Sequence, residues 1–247
     1  VRGLLVALLL AAIPAHAARV VSLNLCTDDY LVLLAPEQIA ALSPLARDPS
    51  LSVVAAEAAK LPWVRADAEA VLALHPDLVL AGPYGAQTTL QALQQRGVRV
   101  ERTLLPNDFA GIRDETTRLA MMLGAPARGA ALLAQMDRDL GVTPHTPATA
   151  IALEARGWTA GPGSMADAVL RAAGLRDVGS GGQMSLETLA AHPPDELLVS
   201  TPPAFPSLAT EMLGHPALAG IPRRAIPPAL LACGGPWTAR AVALLAR

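Results

Sequence analysis

The sequence predicts an α/β protein of two lobes, each built on a parallel sheet, joined by one long helix. Three observations predict it. Short apolar runs alternate with helical patterns over residues 19–105, strand candidates vanish over 107–140, and the alternation returns after Ala148. Such a rhythm places parallel strands side by side with helices as the crossovers.

The elements follow in order. Residues 19–23 read as the first strand, and Thr27 or Asp28 is placed to cap a helix over 29–34 that Pro36 ends. Residues 39–42 read as a second short strand. A helix over 67–74 leads to a buried strand over 77–81, closed by Gly82-Pro83. The helix over 87–95 stops at Gly97, a glycine suited to the left-handed residue after a helix. A strand over 98–105 completes the first lobe.

Asn107 or Asp108 caps a helix to residue 123, where Gly124 and Pro126 interrupt it. A second helix over 127–140 carries Ala131, Leu132, Met136 and Leu140 at helical spacing. Thr143-Pro144-His145-Thr146-Pro147 is a turn-rich linker. The second lobe reads as a strand over 148–154, a helix over 164–173 stopped by Gly174, a helix over 185–191 and a strand over 196–200. A helix over 208–213, a strand over 229–232 and a terminal helix over 238–245 follow. The expected divisions are therefore 18–106, 107–147 and 148–247.

An internal repeat links the lobes. Residues 67–77 (DAEAVLALHPD) resemble residues 185–195 (SLETLAAHPPD) without gaps, so Glu69 pairs with Glu187, Pro76 with Pro194 and Asp77 with Asp195. Each unit is a short helix, a proline stop and a hydrophobic strand. Glutamate in a first helical turn and proline after a helix are common, but their recurrence at matching places in two similar halves favours a duplication.

Composition limits the function. Among 247 residues, 19 are basic and 21 acidic, for a formal charge of -2. No basic excess exists to neutralise phosphates, so nucleic acid is not an expected partner. At the start, Arg2 precedes an apolar run over 4–13, Pro14 breaks it, and Ala15-His16-Ala17 has the A-x-A pattern of a cleavage site. These are the parts of a secretory signal peptide over 1–17, cleaved near Ala17/Ala18 to leave a soluble exported product. The run is too short to span a bilayer, which takes ~20 apolar residues. Cys26 and Cys233 are the two cysteines. An exported chain with two cysteines can form one disulfide, although their spacing does not say whether they meet. Neither has a histidine or another cysteine at zinc-ligand spacing.

The chain resembles the periplasmic binding proteins of ABC importers for ferric siderophores, heme and cobalamin. The resemblance is carried by Arg19-Val20-Val21-Ser22-Leu23, by residues 69–82 (EAVLALHPDLVLAG), by the helical middle and by residues 185–199. Residues 69–82 are the most specific of these. The resemblance implies two α/β lobes with a ligand cleft between them, joined by a rigid helix, and a periplasmic monomer. It implies delivery of a metal chelate, a ferric siderophore or cobalamin, to an inner-membrane permease. It also implies that Glu69 and Glu187, one per lobe, dock on basic permease residues, as exposed charges set orientation and association rate. No resident cofactor, metal or catalytic residue is expected. The chain departs from many members in lacking a lipid-bearing cysteine, and its few aromatics make the pocket hard to assign.

Ligands of α/β sheets sit outside the carboxyl ends of the strands. The loops there are residues 24–29, 82–85, 156–164 and 234–237. Of only two phenylalanines, two tyrosines and three tryptophans, Tyr84, Trp158 and Trp237 fall in these loops, Tyr30 lies just past one, and Trp63 precedes the Glu69 helix. Phe109 and Phe205 lie elsewhere. A scarce residue type gathered at one face points to a flat or large ligand. The candidate ligand contacts are Thr27, Asp28, Tyr30, Trp63, Tyr84, Arg156, Trp158 and Trp237, with Arg65 as a further partner for an anionic ligand. Residues 161–164 (GPGS) lack the Lys-Ser/Thr of a phosphate loop and the G-x-S-x-G of a nucleophile elbow, and read as a cleft-lining turn.

Two other readings compete. A secreted α/β hydrolase would need a nucleophile, base and acid in one place. Yet His75 and His192 sit at helix ends, and His145 and His215 lie in turns beside prolines. A bare metal-ion binder would need several converging His, Asp or Glu ligands, and the cleft loops offer only Asp28 and Asp29.

Overall fold

The structure, a computed structural model, describes residues 17–141, 148–200 and 208–246. The expected signal peptide up to residue 16, the linker with His145, and Phe205 lie outside the described residues. Two four-stranded parallel sheets form the frame.

The first lobe comprises β1 (Val20–Ser22), α1 (Leu25–Leu34), β2 (Ile39–Ala41), α2 (Ala55–Ala58), α3 (Ala68–Leu72), β3 (Leu78–Ala81), α4 (Gln87–Gln95) and β4 (Arg99–Arg102). Its strand order is β2-β1-β3-β4. The central strands β1 and β3 are buried along their whole length, whereas the edge strand β4 carries Arg99, Glu101 and Arg102. Charge on an edge strand discourages pairing with another chain.

Next come α5 (Phe109–Met122) and α6 (Pro126–Leu140). The connection is two helices of 14 and 15 residues packed side by side, broken where Gly124 and Pro126 were expected to interrupt it, and not one long helix. Gly124, at φ 67°, ends the first, and Pro126 starts the second with its fixed φ. A Cβ on Gly129 would collide with the Ala120 Cβ, so the two backbones approach as closely as a glycine allows.

The second lobe comprises β5 (Ala148–Leu153), α7 (Met165–Ala172), β6 (Leu175–Asp177), α8 (Leu186–Ala191), β7 (Glu196–Ser200), β8 (Arg223–Ile226) and α9 (Ala239–Leu245). The strand order is β6-β5-β7-β8, the same pattern as in the first lobe. The repeat seen in the sequence has a structural counterpart. Asp77 Oδ2 accepts from the Arg19 amide at 2.8 Å, and Asp195 Oδ2 accepts from the Thr149 amide at 2.7 Å. Each matched aspartate ties the start of the third strand of its sheet order to the central strand beside it.

Four points of local structure differ from expectation. Helix α1 begins at Leu25, because Asn24 is its cap and accepts the Cys26 amide at 2.9 Å; Thr27 and Asp28 lie inside the helix. A strand expected at 229–232 is instead β8, at Arg223–Ile226, and Pro228–Leu230 is a 3-10 turn. Strand β6 was not anticipated. The expected helix at 208–213 is a 3-10 turn, Leu208–Gly214.

One hydrophobic core runs through both lobes. It takes in Val20, Leu31, Leu34 and Leu80 from the first and Ala150, Leu170, Trp237 and Val242 from the second. Separate clusters cover the outer face of each sheet, around Val79, Leu90 and Leu93 in one lobe and Ile151, Leu189 and Leu197 in the other. The sheets are therefore covered on both faces, as all-parallel sheets require.

Candidate functional site

The carboxyl ends of the two sheets face each other. Three contacts between loops at those ends establish this. Cys26, at the start of α1, is disulfide-bonded to Cys233, with Cα atoms 5.3 Å apart. Asn107 Nδ2 donates to the Gly163 carbonyl at 3.0 Å. Gly234 lies so close to the Pro106 carbonyl that a Cβ there would sit 2.8 Å from the oxygen. These contacts form the floor of a cleft.

The rim is apolar. Among the described residues, Leu45, Trp63, Tyr84, Leu104, Leu105 and Trp158 are exposed large hydrophobic side chains; five follow the carboxyl ends of strands, and Trp63 bridges to Leu42 just past the end of β2. Met121 and Leu244, the other two, lie on helices. Tyr84 is 79% exposed, Trp158 55% and Trp63 46%. Large apolar groups in contact with water at one end of a fold mark a surface that binds something.

Each rim residue is positioned by identifiable contacts. Trp63 extends the first sheet beyond β2: the Leu42 amide donates to the Pro62 carbonyl at 3.0 Å and the Val64 amide to the Leu42 carbonyl at 2.8 Å. The Arg47 guanidinium lies 5.7 Å from the Trp63 ring centroid, within cation–π range. Tyr84 rides on the turn after β3, where Gly82 leaves room for the Asn24 side chain; a Cβ would lie 2.6 Å from Asn24 Nδ2. Arg102 braces this turn by donating to the Gly82 and Pro83 carbonyls. Leu104 follows β4 and is held by Glu115 of α5, whose Oε1 accepts the Leu104 amide at 3.1 Å and pairs with Arg118 at 2.7 Å.

Trp158 stands on a ribbon that doubles back after β5. Arg156 (φ 58°) and Gly157 (φ 75°) both take the left-handed conformation there. Left-handed backbone costs a side-chain-bearing residue such as Arg156 about 1–2 kcal/mol. Return bonds close the turn: Glu154 amide to Trp158 carbonyl at 2.7 Å, and Ala160 amide to Ala152 carbonyl at 3.1 Å. Residues 182–184 pair alongside through Thr159 to Gly182 and Met184 to Gly157. Gln183 also fixes the bend by donating to the Arg156 carbonyl at 2.8 Å. The bend leaves Trp158 and the Arg156 side chain exposed.

Four expected ligand contacts are interior instead. Thr27 is fully buried and hydrogen-bonds Ser22 and the Asn24 carbonyl. Asp28 accepts from the Ser43 amide at 3.0 Å and the Ser43 hydroxyl at 2.5 Å, tying α1 to the segment after β2. Burial pushes its carboxyl up to about 7. Its neighbour Asp29, likewise buried and pushed up to about 7, accepts from Ser52 at 2.6 Å and leaves Oδ2 without a partner. Tyr30 is 2% exposed, bonds Thr116 through its hydroxyl at 3.0 Å and packs against Trp237 with centroids 5.1 Å apart. Trp237 is 3% exposed. These rings fasten α1 to the second lobe and present nothing to a ligand.

Trp63, Tyr84, Arg156 and Trp158 thus remain at the rim, with Arg65 exposed nearby in sequence. Leu45, Leu104 and Leu105 escaped the sequence reading. Leu104 and Leu105 were read as part of a strand over 98–105, but β4 ends at Arg102, and the exit of β2 that carries Leu45 was not counted among the cleft loops. Glu69 and Glu187 are exposed second residues of α3 and α8, behind the caps Asp67 and Ser185. Among the described residues, no group of three or more His, Cys, Asp and Glu side chains is gathered to hold a metal ion. Nor, among them, is any helix long and apolar enough to cross a membrane.

Comparison with known proteins agrees with this layout. Residues 20–223 match a family model described as periplasmic binding protein. The heme-binding protein RhuT of Roseiflexus sp. RS-1 superposes with a TM-score of 0.70 at 24% identity, covering 92% of this chain and 96% of that one. The heme-binding protein HutB of Vibrio cholerae gives 0.74 at 20% identity, covering 92% and 96%. The vitamin B12 binding protein BtuF of the same organism gives 0.66 at 18%, covering 93% and 95%. A curated relative, the cobalamin-binding protein of Halobacterium salinarum, is 30% identical over 144 residues, 55% of this chain and 38% of its own length. The match therefore spans well under half of that relative. The family and these solved structures are described as binding proteins and not as enzymes, which goes against the hydrolase reading. With the match running from the first strand into the last, the chain belongs to the periplasmic binding protein family.

Proposed function

We propose that this protein is the periplasmic solute-binding component of an ABC importer, and that its cargo is a metal chelate with a broad apolar face. The observation that carries the proposal is the rim, where Trp63, Tyr84, Leu104 and Trp158 stand exposed around a cleft between two facing sheets. Aromatic faces in that setting suit a macrocycle such as a corrinoid or heme better than a small polar solute. Arg156 supplies a fork for a carboxylate or phosphate on the chelate. The relatives named for cobalamin and for heme support this class. A ferric siderophore is the alternative cargo, favoured by the exposed arginines Arg65 and Arg156.

Tryptophan fluorescence tests this directly, because Trp63 and Trp158 are partly in solvent while Trp237 is buried. Cyanocobalamin, hemin and a panel of ferric siderophores are titrated into the protein. Saturable quenching by one of them, lost in Trp63→Ala and Trp158→Ala, identifies the cargo. Each ring should be worth tenfold or more in affinity, about 1.4 kcal/mol. Failure of all these chelates to quench or to raise the melting temperature overturns the proposal.

Glu69 and Glu187 are the proposed contacts to the permease. The support is their recurrence at the same helical position in both lobes, exposed and free of the cleft. The pair Glu69→Arg and Glu187→Arg should abolish uptake in reconstituted vesicles while ligand binding is unchanged. Uptake equal to that of the unmodified protein refutes the docking role.

A further inference from the structure

We propose that the Cys26–Cys233 disulfide is a redox-operated latch across the floor of the cleft, which fixes the separation of the lobes when oxidised and lets them part when reduced. The chain itself crosses between the lobes once, through α5 and α6. The disulfide adds a second covalent crossing, between residues 207 positions apart in sequence. As a second covalent crossing, the disulfide further restricts relative motion of the lobes beside the apolar core they share.

Both ends of the latch are firmly seated. The Cys26 amide is held by Asn24 Oδ1 at 2.9 Å. The Cys233 carbonyl accepts from the buried Thr238 hydroxyl at 3.2 Å, and the same hydroxyl accepts the Gly235 amide at 3.3 Å. Motion at either end is therefore passed to a whole lobe, to α1 on one side and to the segment leading into α9 on the other. The only other polar bond described across the floor is that of Asn107 to Gly163, a neutral contact at an exposed edge. Remove the disulfide and, apart from the Asn107 contact, the floor is held by apolar packing alone, that of the shared core around Tyr30 and Trp237.

The latch is also accessible from one side. Cys26 is partly exposed, whereas Cys233 is 1% exposed. A thiolate of a dithiol reductant reaches the Cys26 sulfur, forms a mixed disulfide there and expels the Cys233 thiolate, which takes up a proton. The second thiol of the reductant then attacks the mixed disulfide, releases Cys26 as a thiolate and leaves the reductant as its own disulfide. Two electrons pass from reductant to protein. Cys26 departs from the first turn of α1, where the helix dipole favours a thiolate.

Hydrogen exchange on the whole mature protein tests the latch without a ligand, so its outcome is independent of which cargo is bound. Exchange is compared for the oxidised protein, the protein reduced with dithiothreitol, and the Cys26→Ser and Cys26→Ser/Cys233→Ser variants. Reduction should speed exchange about tenfold or more at the floor, residues 104–109, 161–166 and 232–238, while β1, β3, β5 and β7 stay protected, which is local opening rather than unfolding. Reoxidation should restore the original pattern, and both variants should match the reduced protein. Unchanged exchange at the floor overturns the latch. Loss of protection throughout the central strands also overturns it, since the bond would then be a staple for the whole fold.

Discussion

Replacing Asp29 by Asn should make the protein progressively more stable than the parent as pH rises from about 4 to about 7. Asp29 is fully buried; Oδ1 accepts from Ser52, while Oδ2 has no partner. Burial raises its carboxyl from 3.8 to about 7. The folded protein therefore holds a proton that the unfolded chain releases above its ordinary value. Stability is full below that value and is lost as pH climbs towards about 7, where the folded group ionises in turn and the loss levels off. A shift of about three units at about 1.4 kcal/mol per unit sets the loss from this one side chain at roughly 4 kcal/mol. Asparagine keeps an acceptor for Ser52 in the same volume and carries no charge. Urea unfolding of parent and variant across this range, with the disulfide intact, measures the difference. It should widen with pH by up to that amount and then hold steady. The variant itself should keep a slope, because Asp28, raised in the same way and for the same reason, still titrates. A difference that stays constant with pH, or narrows, would refute the assignment of Asp29 as a buried group that ionises late.

Other substitutions probe the packing. Gly129→Val should cost about 1–3 kcal/mol in urea unfolding, because any Cβ there strikes Ala120 and forces α5 from α6. Leu31→Ala should cost about 2–5 kcal/mol, since Leu31 is fully buried in the core shared by the lobes. Gly82→Ala should displace Asn24 from the cap of α1 and cost on the order of 1 kcal/mol. A melting temperature equal to the parent's for any of the three would contradict the contact on which it rests.

The fold was largely legible where punctuation is chemical. Gly97 and Gly174 take positive φ just past α4 and α7, and Asp67, Asp108, Ser164 and Ser185 cap α3, α5, α7 and α8 through their side chains. Edge strands were harder. β6 is three residues, Leu175–Asp177, with only Leu175 buried, too short to show a period. β8 carries two arginines, one paired with Glu196 at 2.9 Å, so its sequence reads as surface while the apolar stretch after it draws the eye.

The candidate site was legible in outline and only half legible in detail. The rule that ligands lie beyond the carboxyl ends of parallel strands pointed to the loops that carry Tyr84 and Trp158. It could not say which way a side chain at such an end turns. Asn24 starts α1 earlier than Thr27 and Asp28 suggested, and that offset winds Thr27, Asp28 and Tyr30 into the interior. Trp237 turns inward beside Gly235, whose missing side chain leaves space for the indole. Trp63 and Trp158 turn outward for local reasons too: an extension of the sheet edge and a left-handed bend. Neither leaves a mark in composition.

The core that joins α1 to Trp237 and α9 brings residues near the start of the described chain against residues near its end. Contacts so distant in sequence form late, because the intervening chain must be ordered first. During synthesis, α1 would wait with Tyr30 and Leu31 uncovered until the segment after residue 233 had emerged. The same geometry makes a single lobe a poor fragment. A chain cut within α6 would leave that apolar face bare, and would aggregate or recruit a chaperone instead of folding as half a receptor.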